Sequence, residues 1–246
     1  MNRVAACTAL LLLTGCATSG SSRADSNPDP LEPVNRAVYK LNDLGDRYLA
    51  KPIARGYEKY TPRAFRSGVH NFLENLRYPI TIINDFLQGK FRQGGADLGR
   101  FAMNSTVGLF GLFDPATGVG LRAHDEDFGQ TFAVWGLGEG PYLMVPIFGP
   151  YTVGSGIGDL MGTQVSLLVQ GPSSDEFALG LWGLYLVEAR YSVLDLDEEI
   201  QRSFDPYLFI RDAYLQNRKY KIYDGNVPEE EMFPEDDFED EADSGP

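Results

Sequence analysis

Residues 61–90 read TPRAFRSGVHNFLENLRYPITIINDFLQGK, and their apolar residues recur at the spacing of an α-helix. Intervals of four, three and four residues separate the apolar positions of the first half, which are Phe65, Val69, Phe72 and Leu76. Residues at such intervals share one face of a helix. Thr61-Pro62 is typical of an N-cap followed by the first helical residue, and Pro79 is expected to begin a second helix.

Amphipathic helices are predicted on both sides of this stretch. Apolar positions at helical spacing follow Asp29-Pro30 and Gly89, and an apolar, Leu-rich run extends from Phe177 to Tyr191. Asp205-Pro206 fits an N-cap and first residue of another helix. The chain therefore indicates an all-α fold, a single domain of short amphipathic helices over residues 29–224.

Charge is nearly absent from the middle of the chain. Between Phe128 and Ser174 only Glu139 and Asp159 carry charge, and no Lys or Arg occurs in residues 123–189. Such a stretch is either a deeply buried core or a surface solvated by lipid. Because soluble domains usually interrupt long apolar runs with exposed lysines, the absence of lysines favours contact with lipid.

Two apolar stretches are too short or too irregular to cross a bilayer. Phe101 to Phe113 holds thirteen uncharged residues, whereas a transmembrane helix needs ~20. A short helix, a turn or a hairpin dipping into one leaflet would each fit. Thr131 to Pro150 contains four glycines and three prolines. Irregular backbone does not face lipid at the centre of a bilayer, so no transmembrane helix is predicted in either stretch.

The N-terminus has the features of a lipoprotein export signal. An apolar run of ten residues, Val4 to Leu13, leads into Leu13-Thr14-Gly15-Cys16. This sequence resembles the bacterial lipobox, in which the cysteine is acylated and the chain is cleaved just before it. An ordinary secretory signal with a chance cysteine is the alternative. We predict a signal peptide over residues 1–15, lipid attachment at Cys16 and a flexible tether over residues 16–28.

The residues after Cys16 also indicate a destination. They lack the aspartate that usually signals retention in the inner membrane. One acyl chain holds a protein only marginally, whereas two or more anchor it stably. We therefore expect stable anchoring in the outer membrane.

The net charge of −14 is concentrated in a C-terminal tail. Ten acidic residues lie between Glu229 and Asp243, and without them 25 acidic residues face 21 basic ones. Residues 225–246 have too few apolar groups to form a core and are predicted to be disordered. The nearly balanced body indicates that nucleic acid is not a partner.

Residues for catalysis or metal binding are scarce. The chain has two histidines, and after signal cleavage its only cysteine is Cys16. The cluster from His124 to Asp127 could bind a divalent cation, but a solvated loop is favoured because four adjacent side chains do not converge without a dedicated turn. Gly154-Ser155-Gly156 lacks the glycine that a G-x-S-x-G nucleophile elbow has two residues before its serine. We expect no catalytic residue, no metal and no cofactor, and hence no enzyme.

Seven short motifs follow one another along the chain. They are DPLEPVNR at 29–36, INDFLQGK at 83–90, RF and NSTVG within 100–108, GLFDPA at 111–116, EDFGQT at 126–131, WG and GPY within 135–142, and DPY at 205–207. In order and spacing they resemble the MlaA (VacJ) lipoprotein family of Gram-negative outer membranes. The similarity covers roughly residues 29–215 and leaves out the acidic tail.

This resemblance implies a specific architecture and function. Members of the family form a ring of amphipathic helices in the inner, periplasmic leaflet of the outer membrane, around a narrow amphipathic channel. They associate with trimeric porins, remove phospholipids misplaced in the outer leaflet and pass them to a periplasmic carrier. The resemblance therefore implies a phospholipid conduit that maintains the lipid asymmetry of the outer membrane.

Polar residues inside the apolar motifs are candidates to line such a channel or to contact a headgroup. They are Asn84, Asn104, Ser105, Thr106 and Gln130. Helix capping and hydrogen bonding between helices are the alternative roles. Asp114-Pro115 ends an apolar run, so its loop is a candidate gate or hinge.

Two other functions compete with the conduit. A non-transporting adaptor would only couple the membrane to a porin or to a periplasmic partner. An acyl hydrolase would need a reactive serine, for which no catalytic triad is recognisable. A polar lining inside an apolar body would favour the conduit over the adaptor.

Overall fold

The computed structural model describes residues 28–170 and 175–232, and helices dominate them. The helices are α1 (Glu32–Gly45), α2 (Lys51–Tyr60), α3 (Arg63–Leu87), α4 (Phe91–Thr106), α5 (Pro115–Gly118), α6 (Phe128–Val134), α7 (Val153–Gln170), α8 (Asp175–Tyr191), α9 (Asp197–Arg202), α10 (Pro206–Ile222) and α11 (Glu229–Met232). A π-helical turn (Asp46–Ala50) joins α1 to α2, and a 3-10 turn (Leu194–Leu196) precedes α9. Two short strands, β1 (Tyr142–Val145) and β2 (Gly149–Thr152), depart from the predicted all-α class, which is otherwise confirmed.

Some sequence predictions fall outside the described residues. These are the signal peptide over residues 1–15, Cys16, the tether as far as residue 27, and residues 233–246 of the acidic tail. Residues 225–232, for which disorder is also predicted, are described and include α11. The ammonium of Lys219 contacts the backbone carbonyl of Glu231 at 2.8 Å and its carboxylate at 3.3 Å. These contacts connect α11 to α10, so the described helical body extends past the predicted boundary at residue 224.

The helix α3 continues through Pro79, where the sequence predicts a new helix to begin. Proline inside a helix removes one backbone donor. The buried face of α3 nevertheless runs through this position, because Leu73 and Tyr78 precede the proline and Ile82 follows it. Packing of that continuous face outweighs the lost hydrogen bond, since tertiary packing supplies most of the stability of a helix in a protein.

The corner between α2 and α3 also differs from the prediction. Pro62 occupies the N-cap position of α3, and no side chain caps that end. The hydroxyl of Thr61 instead donates to the carbonyl of Tyr57 at the end of α2. Arg66, in the first turn of α3, donates to the carbonyls of Glu58 and Thr61 at 2.5 Å each. The buried guanidinium of Arg66 thus stabilises the corner between α2 and α3, where Thr61 was predicted to cap the start of the helix.

The strands β1 and β2 form an antiparallel hairpin within the glycine- and proline-rich middle of the chain. Tyr142 lies opposite Thr152, and Val145 lies opposite Gly149. Tyr142 and Met144 point into a small apolar core that they share with Tyr207 of α10. The hairpin therefore packs against the start of α10.

A buried polar network joins the beginning of the described chain to this hairpin and to α10. The Nδ2 group of Asn35 donates to the carboxylate of Asp29 at 2.7 Å and to the carbonyl of Tyr142 at 3.2 Å. The Oδ1 atom of Asn35 accepts from the backbone N–H of Met144 at 2.9 Å. The hydroxyl of Tyr207 donates to Asp29. Asp205 caps α10 by accepting from the first-turn N–H groups, as predicted.

Glycines allow α6 and α7 to pack closely. A Cβ at Gly158 would overlap the backbone of Gly129. By contrast, Gly136, Gly138 and Gly140 have positive φ values of 67° to 86° and form turns before β1. Both roles, turns and close helix packing, are as predicted for the glycine-rich runs. Within residues 28–170 and 175–232, no helix combines the length and apolar character that a membrane crossing requires.

Candidate functional site

The described interior is polar, and much of the described surface is apolar. Among these residues, 17 polar or charged side chains are buried against 10 apolar ones. Large apolar side chains are exposed on the loop after α4, on the hairpin turn, and on α7 and α8. Examples are Val107, Phe110, Ile147, Leu160 and Leu179, whose exposed fractions lie between 68% and 77%. In proteins generally, charged side chains are almost never fully buried unless they are paired. An exposed apolar surface of this kind suits contact with a protein partner or with lipid.

Asn84 lies in the polar interior between α3 and α6. Its Oδ1 atom accepts from the hydroxyl of Thr131 at 2.7 Å, and its Nδ2 group donates to the carbonyl of Ile80 at 2.9 Å. The Thr131 hydroxyl also accepts from Gln88 at 3.1 Å. Asn84 therefore joins two helices, which matches the alternative role considered for it. Its place in the lining of a lipid path stays a prediction.

Asn104 lies in a second polar cluster, at the end of α4. Its Nδ2 group donates to Asp114 at 3.0 Å, and its Oδ1 atom accepts from the backbone N–H of Ala116 at 3.1 Å. Asp114 also receives the guanidinium of Arg100 at 2.5 Å and the backbone N–H of Thr117 at 3.1 Å. Asp114 is thus the N-cap of α5. The candidate hinge Asp114-Pro115 begins this short helix, and its part in gating stays a prediction.

Ser105 and Thr106 lie next to the most exposed apolar loop. The Ser105 hydroxyl accepts from Asn75 of α3 at 3.0 Å, and the exposed Thr106 hydroxyl donates to the carbonyl of Ala102 at 2.7 Å. Residues 107–113 then form an apolar loop, whose backbone is left-handed at Leu109 (φ 53°) and Phe110 (φ 59°). Such a conformation is rarely adopted by non-glycine residues. The loop therefore presents its apolar side chains outward from a strained backbone.

Gln130 belongs to a third cluster, built around Arg218. Its backbone N–H and its Nε2 group both donate to Asp127, the N-cap of α6. The guanidinium of Arg218 lies 2.7 Å from Asp127 and 2.8 Å from Glu139. Burial alone would raise the pKa of Asp127, but the charge and hydrogen bond of Arg218 outweigh burial and lower it. The role of Gln130 in contacting a headgroup stays a prediction.

The third cluster continues into the hairpin. The hydroxyl of Thr152 donates to Glu139 at 2.6 Å, and the backbone N–H of Thr152 donates to Ser155 at 2.9 Å. The hydroxyls of Ser155 and Tyr214 lie 2.7 Å apart. The buried hydroxyl of Ser155 therefore has a structural role, because it links β2 to α10.

Two buried carboxyl groups face each other across α3 and α4. Asp85 and Asp97 are both fully buried, and one oxygen of each accepts no hydrogen bond from an N–H or O–H group of the described residues. Burial, followed by the charge and hydrogen bonding of Asp97, raises the pKa of Asp85 to about 7. A proton on Asp85 would remove the repulsion between the two groups.

Residues 124–127 form a loop, as predicted, but of its four side chains only that of Asp125 is exposed. Glu126 is 4% exposed and accepts from Gln88 and Lys90 at 2.9 and 2.8 Å. His124 lies 2.9 Å from Asp97, and Asp127 pairs with Arg218. The adjacent side chains diverge, because His124 and Glu126 contact residues 88–97 whereas Asp127 contacts Arg218 of α10. No group of three or more His, Cys, Asp or Glu side chains in the described parts of the chain is placed to hold a metal ion.

Sequence reasoning missed the buried charged residues, and helical spacing could have found them. Arg218 lies near the C-terminal end of α10, and it follows the partly buried Tyr214 by four residues on the same face of the helix. On α4 the buried positions are Gly94, Asp97, Arg100 and Asn104, at intervals of three, three and four. This buried face of α4 has no apolar side chain, so apolar periodicity does not reveal it.

Comparison with known proteins identifies the family. A sequence profile of the family described as MlaA lipoprotein matches residues 27–221. The chain belongs to the MlaA lipoprotein family. The intermembrane phospholipid transport system lipoprotein MlaA of Escherichia coli (strain K12) is 34% identical over 226 residues, which are 89% of this chain and 88% of that protein. The protein of the same name from Haemophilus influenzae is 32% identical over 235 residues, or 92% of each chain.

A solved MlaA-like structure has the same fold. It comes from work on the structural basis for maintenance of bacterial outer membrane lipid asymmetry, and it aligns with a TM-score of 0.72 at 32% identity. The alignment covers 79% of this chain and 98% of the solved chain. The predicted resemblance to the MlaA family is therefore confirmed at the level of sequence and of fold.

The MlaA motifs of this chain coincide with the buried polar clusters. Asp29 of the first motif accepts from Asn35 of the same motif and from Tyr207 of the last one. Asn84 of the second motif binds Thr131 of the fifth. The motifs that carry the family resemblance thus build the polar interior.

Proposed function

We propose that this protein acts as an outer-membrane lipoprotein in intermembrane phospholipid transport. It removes phospholipids from the outer leaflet and passes them towards the periplasm through an amphipathic passage, which maintains the lipid asymmetry of the outer membrane. The proposal extends to a membrane position in the periplasmic leaflet, with the acylated Cys16 as anchor. It includes no covalent chemistry.

The observation that carries the proposal is the polar interior beneath an apolar surface. Moving a charged headgroup through hydrocarbon is costly unless polar groups accompany it. The three buried clusters around Asn84, Asp114 and Arg218 supply such groups, while Phe110, Leu160 and Leu179 lie on the outside. A body of this kind can sit in one leaflet without a spanning helix and still offer a polar route.

The names of the relatives support the same proposal. The relatives from E. coli and H. influenzae are named as lipoproteins of an intermembrane phospholipid transport system. The family resemblance extends the proposal to a porin trimer as the membrane partner and to a periplasmic carrier as the recipient. The exposed apolar side chains of α7 and α8 offer a surface suited to a partner within the membrane.

The proposal is tested by reconstitution. The full-length lipoprotein is placed in donor vesicles that contain labelled phospholipid, and the periplasmic carrier is supplied in the aqueous phase. We expect intact labelled lipid to be recovered on the carrier, as read by mass spectrometry. An adaptor would give no transfer above protein-free vesicles, and an acyl hydrolase would give free fatty acid and lysophospholipid. Either outcome would contradict the conduit.

A further inference from the structure

A groove lies at the turn between α3 and α4, and Glu126 connects its wall to the cluster around Asn84, because Glu126 accepts from Lys90, Gln93 and Gln88. It has a volume of about 710 Å³, and six of its lining residues define the basic groove: Lys90, Phe91, Arg92, Gln93, Arg122 and His124. None of these six is a carboxylate, although the chain as a whole has a net charge of −14. The groove is therefore a local cationic site on an acidic protein.

The two arginines carry the free charge of the basic groove. Arg92 and Arg122 are exposed, and neither guanidinium group makes a hydrogen bond or an ion pair with another described residue. Lys90 is already engaged, because its ammonium lies 2.8 Å from Glu126 and 2.5 Å from Asp224. An anion in the groove would therefore pair with the two guanidinium groups, whose planar forks match the oxygens of a phosphate.

Buried carboxylates hold the other donors of the basic groove in place. The Nε2 group of Gln93 donates to Asp85 and to Glu126, both at 2.8 Å. The ring of His124 is fixed by Asp97 at 2.9 Å. These interactions fix the wall of the groove before any ligand arrives, which lowers the entropic cost of binding.

The first turn of α4 opens onto the same groove. The helix has 16 residues, and no side chain caps its N-terminus at Lys90. Gly94 is the first residue whose backbone N–H reaches a helical acceptor, the carbonyl of Lys90 at 2.9 Å. The N–H groups of residues 91–93 precede it at the positive end of the helix dipole, where anions bind favourably.

An apolar surface borders the basic groove on one side. Phe91 is 69% exposed and lies beside Phe86, with ring centroids 6.1 Å apart. Trp135 donates its indole N–H to the carbonyl of Leu87 at 3.1 Å while 55% of the residue stays exposed. Tryptophan with one polar contact and an exposed ring is typical of the level of lipid headgroups. A ligand that is anionic at one end and apolar at the other fits this border.

We propose that the basic groove binds the phosphate group of a phospholipid, with Arg92 and Arg122 as its charge partners and Phe91 against the adjoining hydrocarbon. Phosphate recognition follows from the charges and the helix end alone. The choice of a phospholipid over a free phosphate ion rests on the apolar border and on the proposed function.

The test compares two variants that remove the same charge. Arg92→Gln/Arg122→Gln removes both unpaired positive charges from the basic groove. Lys40→Gln/Arg55→Gln is the control, because Lys40 and Arg55 are also exposed and make no ion pair with a described residue. Each double variant is mixed in equal amounts with the wild-type full-length protein in a non-ionic detergent. Short-chain phosphatidylglycerol is added, and native mass spectrometry reads the bound fraction of both proteins in one spectrum.

We expect the groove variant to lose roughly tenfold or more in affinity for phosphatidylglycerol, as the loss of two charge-assisted contacts implies. We expect the control variant to match the wild type within about twofold. Equal losses in the two variants would mean that only the overall charge matters, and no loss in either would mean that the groove binds no lipid. Both results would overturn the proposal.

A second variant distinguishes lipid from free phosphate. Phe91→Ser should weaken phosphatidylglycerol binding and leave the binding of inorganic phosphate unchanged. If inorganic phosphate binds the wild type as tightly as the lipid does, the groove is an ion site and the lipid assignment is wrong. These measurements use equilibrium binding alone, so they are independent of the transfer assay. A wild type that binds lipid in the groove but moves none would contradict the proposed function and not this inference.

Discussion

The guanidinium of Arg100 lies 2.5 Å from the carboxylate of Asp114, and the Arg100 side chain is only 7% exposed. The same arginine donates to the hydroxyl of Thr117 at 2.9 Å and to the carbonyl of Leu121 at 2.6 Å. Burial alone would raise the pKa of Asp114, but hydrogen bonds from Thr117, Asn104 and Arg100 outweigh burial and lower it. Asp114, a candidate hinge, is therefore a fixed end of the apolar loop 107–113.

Replacing Arg100 should destabilise the fold strongly. Arg100→Gln leaves Asp114 with a partly buried, unpaired charge, so we expect a loss of roughly 3 kcal/mol in the free energy of unfolding. Denaturant unfolding in detergent, followed by circular dichroism, measures the loss. Arg47→Gln is the matched control, because the pair of Arg47 with Asp43 is exposed and should contribute less than about 1 kcal/mol. Equal losses in the two variants would show that Arg100 does not anchor the loop.

Asn104 and Thr106, both predicted to line the passage, should respond differently to apolar substitution. Asn104→Leu removes the partner of Asp114 and of the Ala116 backbone N–H, so we expect a loss of roughly 2–4 kcal/mol in stability. Thr106→Val removes one exposed hydroxyl whose bond stays within α4, so we expect a change within about 0.5 kcal/mol. Melting temperatures in detergent check both values.

The Asn104 and Thr106 variants also help to interpret the reconstituted lipid-transfer assay. Lost transfer in Asn104→Leu would follow from unfolding alone, whereas lost transfer in a folded Thr106→Val or Thr106→Leu protein would place Thr106 on the lipid path. Normal transfer in both Thr106 variants would contradict its assignment to the passage.

Helical periodicity predicted the positions of most long helices. The Phe177 to Tyr191 run and the Asp205-Pro206 start coincide with α8 and α10. Apolar spacing reports which face a helix buries, and in these segments the signal is strong. Pro79 predicts a helix start that α3 does not have, because proline is a local signal whereas the buried face that carries α3 past it depends on tertiary packing.

The polar interior could be predicted only in part. Asn84, Asn104 and Gln130 stood out as polar residues in apolar motifs, and all three proved to be buried. The buried charged residues did not stand out, because Asp85, Arg100 and Arg218 resemble the charged residues of a solvated helix face. Which charges pair depends on contacts between residues far apart in sequence, such as the 79 positions that separate Glu139 from Arg218. The hairpin is not apparent from the sequence either, because strands of only four residues are too short for a clear alternating pattern.

The pair of Asp85 and Asp97 predicts a stability that depends on pH. The pKa of Asp85 is raised to about 7 in the folded protein, against about 3.9 for an unperturbed Asp. Between these values the folded state holds a proton that the unfolded state has released. Stability should therefore fall as the pH rises from about 4 to about 7.

Asp85→Asn should flatten this dependence, because an amide keeps a donor towards Asp97 and has no proton to lose. We expect the variant to be more stable than the wild type at pH 8. Its stability should also depend less on pH between pH 4 and 7. Melting temperatures across this range measure the slope, and the exposed Asp195→Asn serves as control. A slope unchanged from the wild type in Asp85→Asn would show that the pair does not hold the extra proton.

The apolar loop should lie in the hydrocarbon of the leaflet if the exposed residues mark a lipid-covered surface. Phe110 is 77% exposed on a left-handed backbone, a combination that water does not favour. A nitroxide attached at Phe110→Cys should be more accessible to oxygen than to a water-soluble nickel complex when the lipoprotein is reconstituted in vesicles. A label at Arg202→Cys, where the charged side chain is 78% exposed, should show the reverse. Cys16 does not interfere, because its thiol is acylated in the predicted mature protein. Equal accessibility of the two labels to the nickel complex would place the loop in water and would remove the main support for a body embedded in one leaflet.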